Sequence, residues 1–323
     1  MSRSKRFTVS VLLLFGFVVA PVVAADYPVR PIRLIVPYPP GGTLDILARG
    51  IGPELTTQLG QPIVIENRPG AAGAIGADVV AKATPDGYTL LIGGGSGTAV
   101  QALLRNVPYD PVKAFSPIGT LATFPSVLIV NSATPAKSVQ ELIALAKASP
   151  GKLSYGSPGT GNINNLVGEL FKSLAGVDIV HVPYKGAALV ITDVVAGHVP
   201  VGFVLLPGAM GQLRSGKLRA LAVTTEERVS AVPDVPSMRE AGVRDLVLFD
   251  WSGLFAPAGT PTTVITRLGA EVKKVVLSPQ MRQRSVEQGF EPKALSVEEM
   301  AALIKSDADK WARIVKQTGT RLE

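Results

Sequence analysis

Residues 32–49 read IRLIVPYPPGGTLDILAR: a run rich in β-branched and aliphatic side chains, a turn of prolines and glycines, then apolar residues at helical spacing. The first six residues predict a strand, and Leu44, Leu47, Ala48, Ile51 and Leu55 predict a helix over 43–59. The alternation then repeats, with strands over 63–66 and 88–93 and a helix over 73–83. Strands this continuously apolar, each followed by a helix, indicate a parallel sheet covered on both faces.

The rhythm breaks at 114–131, where FSPIGTLATFPSVLIVN carries prolines and no helical period. Two extended segments are expected there, crossing from one domain to another. A second alternating unit follows, with helices over 138–149, 164–175, 187–196 and 207–215 and strands over 153–156, 178–182, 201–205 and 219–224. Residues 230–244 predict a proline-rich turn with a short helix, 249–257 an extended return crossing, and 261–277 and 296–318 two closing helices. The expected architecture is α/β with two lobes, each a mostly parallel sheet flanked by helices. Lobe I is expected from 26–124 and 249–323, and lobe II from 125–248. Open parallel sheets bind ligands in the loops at the carboxyl ends of their strands, so two such loop sets would face each other across a cleft.

Composition narrows the chemistry. The 323 residues include no cysteine and two histidines, which excludes disulfides, thiol catalysis and zinc–thiolate sites and leaves no basis for a His-rich metal centre. Arg3, Lys5 and Arg6 precede the apolar run 11–20 and the small residues Ala24 and Ala25, the pattern of a cleaved secretory leader. Cleavage after Ala25 would leave 298 residues, export the protein to the periplasm, and lower the formal charge from +7 to +4 by removing three basic residues and no acidic one. The remaining Lys and Arg are scattered without interleaved aromatics, so nucleic acid is not an expected partner.

The turn after the first strand is the first expected binding site. Tyr38, Pro40, Gly41, Gly42 and Asp45 surround a helix start, where glycines let backbone N–H groups approach an anion and the proline stiffens the loop. Asp45 could hold an ordered water or cap the helix. A second turn of the same kind holds Ser157, Gly159, Thr160, Gly161 and Asn162. Two helix starts converging on one carboxylate are a stronger site than either alone. A third glycine-rich loop, 93–98, adds Ser96 to the expected ligand contacts; it follows the third strand and lacks the acidic partner of a dinucleotide site. Neither Ser96 nor Ser157 sits in a G-x-S-x-G elbow, and His181 and His198 read as structural. No catalytic residue, cofactor or metal is expected.

Several strings, taken in order, resemble the Bug family, the exported receptors of tripartite tricarboxylate transporters. They are residues 32–49 above, VIENRPGAAGAIGADVVAKATPDGYTLL at 64–91, HVPYKG at 181–186, GKLRALAVTT at 216–225, DVPSMREAG at 234–242 and GLFAPAGTP at 253–261. The resemblance implies a periplasmic binding protein of Venus-flytrap form (type II), without catalysis. It assigns carboxylate binding to Tyr38, Gly41, Gly42 and Asp45 in one lobe and to Ser157, Gly159, Thr160 and Gly161 in the other. Relatives commonly read Phe-Asp-Asn where this chain has Phe203-Val204-Leu205, so Val204 stands where a carboxylate could pair with a ligand ammonium. Asn165 replaces a frequent histidine. The expected function is therefore reception of a small organic carboxylate, with an apolar or aromatic body favoured over an amino acid, for the membrane subunits of a tripartite transporter. Presentation of the closed form to a sensor kinase is an alternative, and ester turnover at Ser157 a remote one. A monomer is expected.

Overall fold

The computed structural model describes residues 27–95, 107–110 and 113–319. Strand β1 (Ile32–Val36) lies between β2 (Ile63–Asn67) and β3 (Thr89–Gly94), parallel to both. Helix α1 (Thr43–Leu59) buries Leu44, Leu47, Ala48, Ile51, Leu55 and Leu59 against this sheet, as its apolar spacing requires. Helix α2 (Ala74–Ala81), entered through a 3₁₀ turn at Ala71–Gly73, lies against β1 and β3.

The expected pair of extended segments is one strand, β4 (Phe115–Asn131). Its register slips at Pro117/Gly119 and Thr120/Ala122 let the prolines sit inside a continuous strand. Residues 115–125 pair antiparallel with β9 (Phe249–Pro257), and residues 126–131 pair with β7 (Val201–Leu205) and β8 (Leu218–Val223). In the second half β5 (Ser154–Ser157) runs parallel to β6 (Val180–Pro183) and β7. The strand order is β2-β1-β3-β9-β4-β7-β5-β6, so one hydrogen-bonded path joins the two halves through β4.

Helices α3 (Val139–Ala148) and α4 (Ile163–Ala175) cover one face of the second half; α5 (Ala187–Ala196) and α6 (Leu206–Arg214) cover the other. The short helix expected within 230–244 is absent. Those residues form successive turns, in which Glu240 accepts the Ser237 N–H at 2.8 Å and Ser237 Oγ accepts the Glu240 N–H at 3.2 Å.

Three helices close the chain where two were expected: α7 (Thr262–Leu277), α8 (Pro279–Glu287) and α9 (Val297–Thr318), with the short strand β10 (Glu291–Pro292) paired to β4. Helix α8 buries little beyond Met281 and Ser285, so it carries no apolar stripe. Its sequence signal is the Ser278 cap followed by Pro279 at the first helical position. Helix α9 begins in a Ser296–Glu299 capping box. Its Met300 joins the cluster around Trp251 and Phe255 in the first half, while Trp311 and Ile314 join the cluster of Leu166, Leu170 and Phe203 in the second. Among the described residues no helix is long and apolar enough to cross a membrane.

Candidate functional site: two braced helix starts

Between β1 and α1 the chain turns through Gly41 at φ 78°, a left-handed value that glycine adopts without strain. Gly42 then caps α1 without a side chain to satisfy the helix N–H groups. Asp45, three residues in, reaches back instead: its Oδ2 accepts the Gly41 N–H and Arg49 Nε–H, each at 2.9 Å. Its Oδ1 accepts from Asn67 Nδ2 at 2.9 Å, and the same Asn67 nitrogen donates to the Tyr38 carbonyl at 3.0 Å. The Asp45 side chain is 3% exposed. Burial alone would raise its carboxyl, but the Arg49, Gly41 and Asn67 donors outweigh burial and hold it below the usual carboxylate range. Asp45 is thus the brace of this loop.

Tyr38 lies against the turn that opens α2; a methyl on Gly73 would come within 3.2 Å of its hydroxyl. Burial, reinforced by Asp250 and Tyr109, pushes its phenol far above the usual range, so it remains a neutral hydroxyl. Pro40 and Gly41 are exposed and Gly42 is half-buried. Ser96 lies outside the described residues.

The second turn repeats this construction. Gly161 is left-handed at φ 73°, and its N–H donates to Asn165 Oδ1 at 3.0 Å, four residues onward as in the Gly41–Asp45 pair. Asn162 caps α4 by accepting the Asn164 N–H at 3.0 Å. Thr160 and Asn162 are half-buried, and Ser157 is fully buried. Ser157 Oγ lies 2.7 Å from His181 Nε2, 3.3 Å from the Gly159 carbonyl and 3.4 Å from the Gly159 N–H, which donates to it.

His181 stacks on Tyr155 with ring centres 4.9 Å apart, and Tyr155 donates to Glu169 at 2.6 Å. Burial pushes the His181 imidazole below its ordinary value; Glu169 pulls against that and Lys172 adds to it. The spacing of sequence motifs gave no sign of the Ser157–His181 pair. Only the register that sets Tyr155 beside His181 and Ser157 beside Pro183 reveals it.

The two turns approach each other through the β6–α5 connection. A methyl on Gly186 would lie 3.9 Å from the Pro39 ring, and one on Gly208 3.9 Å from Thr43 Oγ1. The Tyr184 N–H, in the same connection, donates to the Ser157 carbonyl at 2.9 Å. Val204 is placed differently from expectation: it is fully buried in the cluster with Val127, Val190 and Leu206. Leu205, its neighbour, is the partly exposed residue, packing against the clusters of both halves.

Beneath the site, Thr224 ties both crossings together. Its hydroxyl accepts the Ser126 N–H at 3.0 Å and reaches the Leu248 carbonyl, while the Leu248 N–H donates to the Thr224 carbonyl at 2.7 Å. Ser126 Oγ in turn donates to Asn164 Oδ1 at 2.8 Å, at the start of α4.

Two helix starts thus open onto the carboxyl ends of parallel strands, an arrangement whose unpaired backbone donors suit an anionic group. Residues 47–320 match the tripartite tricarboxylate transporter family receptor, and the chain belongs to that family, whose members are periplasmic solute-binding receptors. It is 35% identical over 308 residues to Protein BugT of Bordetella pertussis, covering 95% of this chain and 94% of that one. Among solved structures it is similar to R. palustris Rpa4515 with adipate, at TM-score 0.87 and 36% identity over 92% of this chain and 99% of that one. It is also similar to MatC (Rpa3494) from Rhodopseudomonas palustris with bound malate, at TM-score 0.83 and 32% identity over 90% of this chain and all of that one.

Proposed function

We propose that this receptor binds a small organic carboxylate between the β1–α1 and β5–α4 turns and delivers it to the membrane subunits of a tripartite transporter. The observation that carries the reading is the matched pair of braces, Asp45 on Gly41 and Asn165 on Gly161, which fix two glycine turns at helix starts. Preorganised backbone donors of this kind suit a carboxylate, through charge-assisted hydrogen bonds. Tyr38, Pro40, Gly42, Ser157, Gly159, Thr160 and Asn162 complete the contacts, with Ser96 as a further donor.

The ligand body would face Leu205, which takes the place first given to Val204. The lack of a carboxylate there favours an apolar or aromatic acid over an amino acid. Residues 26–124 with 249–323 form one lobe and 125–248 the other, in support of which β4 changes partners at residues 125–126. Helix α9 reaches across both. Closure of the lobes on the ligand presents the loaded form to the transporter. A leader cleaved near Ala25 delivers the monomeric receptor to the periplasm.

Calorimetric titration against adipate, malate, an aromatic monoacid, an aromatic diacid and glutamate tests this reading. Micromolar or tighter binding of at least one acid, weakened by Gly161→Val, is the expected result. Binding of none of the acids, together with tight binding of an amine or a neutral sugar, would overturn it.

A further inference from the structure

We infer that His181 is a positioning residue of the second turn: it decides whether the Ser157 hydroxyl offers its proton or its lone pairs to an anion, so that carboxylate binding takes up a proton at His181. This rests on the carboxylate reading above. The geometry is the 2.7 Å contact between Ser157 Oγ and His181 Nε2, with the Gly159 carbonyl and N–H as the other neighbours of that hydroxyl.

The hydroxyl has one proton and two lone pairs. In the neutral tautomer whose proton sits on Nδ1, Nε2 accepts the Ser157 proton, and the oxygen turns only lone pairs toward the turn, where they repel a carboxylate. When Nε2 carries a proton, in the other neutral tautomer or in the imidazolium, it donates to Ser157 Oγ. The hydroxyl proton is then free to swing from the Gly159 carbonyl onto an anion seated against the turn. Only the imidazolium also places a positive charge one hydroxyl away from that anion, and this charge couples binding to proton uptake.

The groups that face His181 are the Tyr155 ring on β5 and Glu169 and Lys172 on α4; β6 is the last strand of the sheet, so no further strand covers it. Glu169 is shared between the Tyr155 hydroxyl at 2.6 Å and Lys172 at 3.0 Å, and no carboxylate pairs with His181 among the described residues. Its protonation is therefore open to bias from the ligand. Burial lowers the affinity of the imidazole for a proton in the empty receptor, and a bound anion raises it. Affinity accordingly tightens as pH falls through the value of the liganded imidazole and levels off below that of the empty one.

The test is calorimetric titration of the whole receptor with adipate, malate and an aromatic monoacid between pH 5 and 8. Each pH is run in two buffers of different ionisation heat, which reads proton uptake directly. The wild type is expected to bind more tightly as pH falls, by up to about tenfold per pH unit, and to take up between zero and one proton per ligand. His181→Gln, whose amide can donate to Ser157 at every pH, is expected to flatten the profile while retaining binding. His181→Phe should be flat and weak, and His198→Gln should keep the wild-type profile.

A wild type that binds these acids with flat affinity and no proton uptake overturns the role of His181 and leaves the site standing. A pH profile that survives His181→Gln unchanged does the same. Failure of the wild type to bind any of the acids at any pH overturns both.

Discussion

Replacing Asp45 by asparagine removes an acceptor where three donors converge. In the wild type Oδ2 serves Gly41 and Arg49, and Oδ1 serves Asn67. An asparagine that keeps its oxygen toward Gly41 turns its NH₂ toward the Asn67 NH₂. Asn67 cannot flip to relieve this, because its nitrogen also donates to the Tyr38 carbonyl and its oxygen accepts from Arg49 at 3.1 Å. One buried donor is left facing another, at a cost of about 1–3 kcal/mol. The Arg49 pair adds little, since that side chain is 54% exposed.

Asp45→Asn should thus lower stability at pH 7 by about 2 kcal/mol, or roughly 3 °C in Tm. The dependence on pH is the sharper test. Because the folded carboxyl lies below its unfolded value, its contribution is complete above about pH 4 and is lost as pH falls through the folded value. Urea unfolding followed by circular dichroism, at steps down to the lowest pH at which the wild type stays folded, should show the gap between the two proteins closing. Equal stability at pH 7, or a gap that stays constant under acid, would refute the brace.

Two further outcomes follow from close packing. Gly94→Ala would drive a methyl into the Trp251 carbonyl where β3 pairs with β9; a loss of at least about 3 kcal/mol in urea unfolding is expected, and a loss below 1 would mean that the strands separate freely there. Thr224→Val removes the hydroxyl that joins Ser126 to Leu248 and should cost about 1–3 kcal/mol, with faster amide exchange at Ser126; unchanged exchange at that amide would refute the tie.

Much of this fold is legible in the sequence because single residues declare it. The helix over 187–196 and the strands over 201–205 and 249–257 begin and end where their glycines, prolines and apolar runs place them. The turns at Gly41 and Gly161 are equally plain, since their glycines precede recognisable helices. Features that depend on register or distant pairing are harder to read. The prolines of β4 suggest a broken strand, but slips against β9 absorb them. Val204 and Leu205 are adjacent in sequence, yet strand alternation turns one into a sealed cluster and leaves the other partly open. The contact of Ser157 with His181 spans 24 residues and exists only because β5 and β6 pair in one register.

The course of α9 bears on how the chain reaches its folded state. Trp311 and Ile314 complete the apolar cluster of one half, and Met300 and Asp307 pack on Trp251 in the other, the Asp307 carboxylate accepting the indole N–H at 2.6 Å. One apolar cluster in each half is therefore completed only by this last helix. A chain emerging from its amino end would hold these two clusters open until α9 follows. The two halves thus share one late-arriving element, and neither of these clusters closes without it.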